Sequence, residues 1–137
     1  MSYLFRDQSW VQLKEHLERQ SLLILPVGTT EEHGPHLPVD TDARIAEAYG
    51  HALAQAVVAD LPVLLMDTIR YGYSMKIMRQ WPGTIVVRSR VFMDMVFDNS
   101  ESGLVNLRLN QAQKVKRAGS YSQDHSEGGA WYLWANP

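Results

Sequence analysis

Between Gly28 and Asp42 the chain reads GTTEEHGPHLPVDTD, with two glutamates, two histidines and two aspartates in one short stretch. Glu31 and His33 are separated by a single residue, so from an extended segment they project to the same side. Asp42 follows nine residues after His33. Gly34, Pro35 and Pro38 restrict the loop between them, which lowers the entropy lost when its side chains are held in place. Carboxylate and imidazole together suit Zn2+ or Mn2+. A carboxylate such as Asp42 can bridge two ions, and two ions about 3.5–4 Å apart polarise a carbonyl and produce hydroxide from water at neutral pH. A solvated polar loop has the same composition, and both readings stand at this point. Glu32 is expected in solvent and Asp40 in a turn. His36 is expected as a hydrogen-bond partner of the ligands. His16 and His51 fall on helical patterns and are expected at the surface.

The elements around this loop are those that place polar groups at strand ends. Ser9 and Gln12 have capping-box spacing, and Trp10, Leu13 and Leu17 recur at helical intervals. A helix is therefore expected from Ser9 to Gln20. SLLILPVG (21–28) is a continuous apolar run of the kind buried on both faces of a sheet. The helical period returns through Ile45, Ala46, Tyr49, Leu53 and Ala56, with Thr41 or Asp42 at the N-cap. LPVLLMDTI (61–69) predicts a second buried strand and TIVVR (84–88) a third. Ser89 then caps a helix whose apolar face is Phe92, Met95 and Val96, with Gly103 as its stop. LVNLRLN alternates as a half-exposed strand would. This order predicts an α/β fold with a largely parallel sheet, and ligands in such sheets bind at the carboxyl ends of the strands. The polar loop stands at that end of the first strand.

The 137 residues suit a single domain. With 13 basic and 15 acidic side chains, net charge −2, nothing favours nucleic acid or an anionic membrane as partner. The absence of cysteine excludes disulfides, thiolate metal ligands and a cysteine nucleophile. The first residues, MSYLFRDQSW, lack a signal-peptide pattern, and no apolar run approaches the roughly 18 residues of a spanning helix. A cytoplasmic protein is expected.

The segments LPVGTTEEHGPHLPVDTD and ARIAEA, followed by YGYS and WPGT, resemble the signature of the creatininase (creatinine amidohydrolase) family, and SWVQLKEHLERQ is similar to its first helix. The resemblance runs from about Ser9 to Asp98. It implies a three-layer α/β/α fold with a mostly parallel sheet, shortened relative to the family. It implies hydrolysis of a cyclic amide or a related small-molecule C–N or C–C bond, through a metal-bound hydroxide at a centre of two Zn2+ or Mn2+ ions. By the same resemblance Glu31 and His33 match metal ligands, Asp42 matches the bridging aspartate, and His36 matches a motif histidine that is not a ligand. Trp81 falls at an aromatic position before Pro-Gly-Thr and is expected on the substrate side. Many members form hexamers, so a homo-oligomer is expected.

The later part of the chain departs from the pattern. Residues 1–103 are family-like, and 104–137 form the divergent remainder of one expected domain. Gln111 and Ala112 follow Asn110 where the family carries Gly and a metal-binding His. His125 and Glu127, one residue apart, are the candidates to complete the site, Glu127 as a ligand and His125 as the acid that protonates the leaving group. Trp131, Tyr132 and Trp134 could line a pocket or pack on the sheet. The alternative function is a truncated or catalytically impaired domain that binds metal weakly or serves only in oligomerisation.

Overall fold

The apolar run after Ser21 becomes the central strand. The computed structural model describes residues 2–105 and 132–133. Strand β1 (Leu22–Leu25) pairs in parallel with β2 (Val63–Leu65), in the register Leu22–Val63, Leu23–Leu64 and Ile24–Leu65. A parallel pair needs a crossover, and α2 (Thr41–Val57) supplies it. A third strand, β3 (Tyr132–Leu133), adds antiparallel on the other side of β1, giving the order β2-β1-β3. Helix α1 (Trp10–Glu18) precedes the sheet and α3 (Ser89–Val105) closes the family-like part.

Successive strand residues point to opposite faces, and β1 uses both. Ile24 packs with Ala54, Val57, Val63 and Leu65 under α2. Leu25 packs with Val27 and Ile69, against Phe92, Met95 and Val96 of α3. The sheet is thus sandwiched between helices, the α/β/α layering expected from the sequence. Leu64 has no exposed surface, and burying a leucine side chain contributes about 1.5–3 kcal/mol. No helix among the described residues is long and apolar enough to cross a membrane.

Several local expectations are corrected. Strands β1 and β2 are shorter than the apolar runs that signal them. Pro26 has no N–H to donate beyond Leu25, although Val27 still bridges Ile69. TIVVR is not a strand. The Ile85 N–H instead donates to the Thr30 carbonyl at 2.9 Å, so this β-branched stretch pins the polar loop. The N-cap of α2 is Asp40, without a side-chain capping bond, while Thr41 and Asp42 lie in the first turn. Gly103 does not stop α3, which continues to Val105. The Ser9–Gln12 capping box forms as expected, but Trp10 is 77% exposed and takes no part in an apolar face. His16 is buried, not at the surface, and His51 is half-buried, with its Nδ1 3.1 Å from the Tyr3 hydroxyl. Asn110, Ala112, His125, Glu127, Trp131 and Trp134 lie outside the described residues.

Candidate metal centre

Backbone hydrogen bonds first fix the loop that leaves β1. Gly28 N–H donates to the Ile69 carbonyl at 2.8 Å, and Glu31 N–H donates to the Val39 carbonyl at 2.9 Å. The second bond folds residues 31–39 back on themselves and returns the chain to α2. Glu32 N–H donates to Thr84 Oγ1 at 3.0 Å, and Thr30 Oγ1 donates to the Arg70 carbonyl at 2.9 Å. The loop is therefore held from two later segments, 70–74 and 84–85.

Two glycines permit this closeness. A Cβ on Gly28 would lie 2.5 Å from the Ala43 Cα, and one on Gly72 would lie 2.6 Å from the Gly28 carbonyl oxygen. Side chains at either position would push apart the end of β1, the start of α2 and the 70–74 segment. Without them, the first turn of α2 sits against the strand end and brings Asp42 to the loop. Asp42 is also where the helix N-terminus favours negative charge.

Glu31, His33 and Asp42 converge. One donor atom from each lies within 4.8 Å of the others, and all three residues are half-buried. His33 Nδ1 is 2.9 Å from the Glu31 carbonyl oxygen, which can only accept, so Nδ1 carries the proton. Nε2 then faces Asp42 Oδ1 at 3.1 Å. A neutral ring with that tautomer would aim a lone pair at a carboxylate oxygen. A positive charge resolves the conflict, either a proton on Nε2 or a metal cation between the groups. Burial of the ring opposes its charged form. The bonds to the Glu31 carbonyl and Asp42, with the carboxylate charges of Asp42 and Glu31, outweigh it and raise the His33 pKa above its ordinary value. The donor set fits a divalent cation for the same reason. Its imidazole tautomer is fixed from behind, as in metal sites generally.

The other sites expected from the sequence lie around this cluster. His36 is exposed and makes no side-chain hydrogen bond among the described residues. Glu32 turns away to accept the Gly34 N–H at 2.9 Å, and Asp40 pairs with Arg44 at 2.8 Å. Trp81 is 48% exposed and lies three residues before Thr84, the anchor of Glu32. A shallow crevice lined by Arg6, Glu47, His51 and Asp67 includes none of the three convergent residues.

Reading the sequence does not single out the hydroxyls that touch the cluster. Ser74 Oγ donates to Glu31 Oε2 at 2.5 Å, and Thr29 Oγ1 donates to Asp42 Oδ2. Ser74 is buried while Tyr71, Tyr73 and Met75 around it are exposed. The YGYS segment carries that inward serine, but only the fold shows which way it points.

An α/β sandwich with a carboxylate–imidazole cluster at the carboxyl end of a parallel strand defines the class, a fold with a metal-ready strand-end site. The chain belongs to the creatininase family, whose model, described as creatinine amidohydrolase, matches residues 6–105. The chain is 36% identical over 85 residues to the mycofactocin precursor peptide peptidase of Mycobacterium ulcerans (strain Agy99), covering 58% of this chain and 34% of that protein. It is 31% identical over 90 residues to the 3-dehydro-scyllo-inosose hydrolase of Thermotoga maritima, covering 66% and 28%. A solved structure, "Creatininase Mn", superposes with a TM-score of 0.68 at 22% identity, over 77% of this chain and 42% of the other. The chain therefore spans about a third of the length of the curated relatives it matches.

Proposed function

We propose that this chain binds a divalent metal through Glu31, His33 and Asp42 and hydrolyses an amide or related C–N or C–C bond of a small molecule. The observation that supports this best is the approach of His33 Nε2 to Asp42 Oδ1 with Nδ1 already committed to a carbonyl. Zn2+ or Mn2+ is the proposed ion, since mixed imidazole and carboxylate ligands accept both. Such an ion polarises a carbonyl and lowers the pKa of water, the two requirements of amide hydrolysis near neutral pH. The names of the relatives, a mycofactocin precursor peptide peptidase and a 3-dehydro-scyllo-inosose hydrolase, favour hydrolysis as the reaction class. They differ in substrate and agree only in the class of reaction.

The residues of this chain have separable tasks in that reading. Glu31, His33 and Asp42 hold the cation. The Glu31 carbonyl keeps the imidazole in the tautomer that offers Nε2. Trp81, exposed beside the segment that anchors the loop, is proposed to meet the substrate. Two ions would need further ligands, for which His125 and Glu127 are proposed, with His125 as the proton donor to the leaving group. A homo-oligomer belongs to the same proposal.

The test is metal content and turnover measured together on purified protein. Two ions per chain with hydrolysis of an amide substrate, lost on chelation and restored by Zn2+ or Mn2+, is the expected result. A second reading is favoured by Ala112, which stands where the family signature carries a metal-binding histidine. Under it the chain binds one ion through the three described ligands and does not turn over substrate. One ion per chain with no activity supports that reading. No ion at all removes both.

A further inference from the structure

We infer that Thr29 and Ser74 are positioning residues for the metal ligands, each hydroxyl fixing the orientation in which one carboxylate faces the cation. This inference rests on the metal-site reading above. Neither residue belongs to the convergent set of three. Ser74 is 3% exposed, and its Oγ lies 2.5 Å from Glu31 Oε2. Thr29 Oγ1 donates to Asp42 Oδ2, while Oδ1 of the same carboxylate faces His33 Nε2 at 3.1 Å. An ionised carboxylate can only accept, so in both pairs the hydroxyl is the donor.

The symmetry of the arrangement carries the argument. Both acidic ligands would otherwise be free to rotate about their terminal torsions, which are broad and soft. Each is stopped by a hydroxyl from a different segment, one just after β1 and one from the stretch beyond β2. Those segments are themselves locked together by the close approach of Gly72 to the Gly28 carbonyl and by the Thr30 hydroxyl on the Arg70 carbonyl. The hydroxyls are therefore set by the backbone, and the carboxylates are set by the hydroxyls. With its plane set by a hydroxyl, each carboxylate meets the cation in one orientation, and the hydrogen-bonded oxygen keeps a second lone pair. A site built this way loses little freedom when it binds, which is how outer partners strengthen metal sites.

The test uses the full metal-free chain, titrated calorimetrically with ZnCl2 and, separately, MnCl2. Thr29→Val keeps the shape and removes the hydroxyl, Thr29→Ser keeps the hydroxyl, and Ser74→Ala removes the other one. Thr29→Val and Ser74→Ala are each expected to weaken binding about 10–100-fold, with Thr29→Ser within about threefold of the wild type. Circular dichroism of the metal-free proteins checks folding, and if one hydroxyl-deleted variant fails to fold the other decides. Wild-type affinity in a folded Thr29→Val or Ser74→Ala variant overturns the inference while leaving the metal site standing. Thr29→Ser as weak as Thr29→Val also overturns it, because the loss would then follow from shape and not from the hydroxyl. A wild-type chain that binds neither ion removes the metal-site reading itself, and this inference with it.

Discussion

His16 and His33 stand beyond opposite ends of the same strand. His16 closes the turn before β1, with its Nδ1 2.8 Å from Ser21 Oγ. His33 lies in the loop after β1, between the Glu31 carbonyl and Asp42. His16 is the more deeply buried of the two, yet it has no feature of a site. Its Nε2 is buried without a hydrogen-bond partner among the described residues, so a charged ring would leave an N–H there unsatisfied. Burial, then the Arg19 charge, hold its pKa below the ordinary value, with Glu15 only partly opposing. At His33 hydrogen bonds and two carboxylates overcome burial and raise the pKa. The pair shows that burial alone does not mark a candidate site. What marks it is the sign of the charge its surroundings would welcome.

The largest effect should come from removing a group that welcomes the cation. Asp42→Ala deletes the carboxylate that faces His33 Nε2, and Zn2+ affinity is expected to fall by more than about a hundredfold, beyond the loss from an outer partner. His16→Ala should leave that affinity unchanged. Calorimetric titration of both variants decides, and equal losses in the two would erase the contrast.

A smaller effect should follow from moving the same carboxylate without deleting it. Gly28→Ala places a methyl against the Ala43 backbone, next to Asp42. Displacing the first turn of α2 is expected to cost about 2–3 kcal/mol of stability by overpacking and to weaken metal binding as well. Chemical denaturation and metal titration of one preparation measure both. A variant as stable and as tight-binding as the wild type would mean that the close approach does not hold the site together.

His16→Ala belongs on the stability side alone. Losing the buried ring and its bond to Ser21 is expected to cost about 1–2 kcal/mol, read from the urea midpoint. No loss of stability would show that the ring contributes nothing to packing at that end of the strand.

The contrast between the two histidines was only partly legible in the sequence. The polar loop advertised itself, because Glu31 and His33 flank one residue and the strand before them is a plain apolar run. Their convergence with Asp42 follows from the parallel crossover, which the alternation of strand and helix patterns implies. The burial of His16 is not legible, because the periodicity of α1 is carried by few residues, and Trp10, the largest of them, is exposed. Which face of a short helix is buried then depends on what it packs against. TIVVR has the composition of a strand, but its Ile85 N–H serves the Thr30 carbonyl and its Thr84 hydroxyl serves the Glu32 N–H, and β-propensity cannot register a competing partner. Thr29 and Ser74 were unreadable for a related reason. A hydroxyl acquires its role from what stands opposite, and Ser74 meets Glu31 from 43 positions further along the chain.

The pH dependence of the metal-free protein offers the finest test of the pair, because the two histidines should tilt stability in opposite directions. The unfolded reference for both is about 6.5. His16 has a folded pKa below that value, so as pH falls through 6.5 the unfolded chain takes up its proton first. The stability tied to a neutral His16 is thus complete above 6.5 and is lost as pH drops toward the folded pKa. His33 has a folded pKa above 6.5, so its contribution is complete below that value and is lost as pH rises through the folded pKa. Urea midpoints of the chelated protein, measured between about pH 5 and 8, should show both losses, one on each side. His16→Asn should flatten the acid side only, and His33→Asn the alkaline side only. If both variants flatten the same side, the two rings share one electrostatic environment, and the opposition between the ends of β1 is lost.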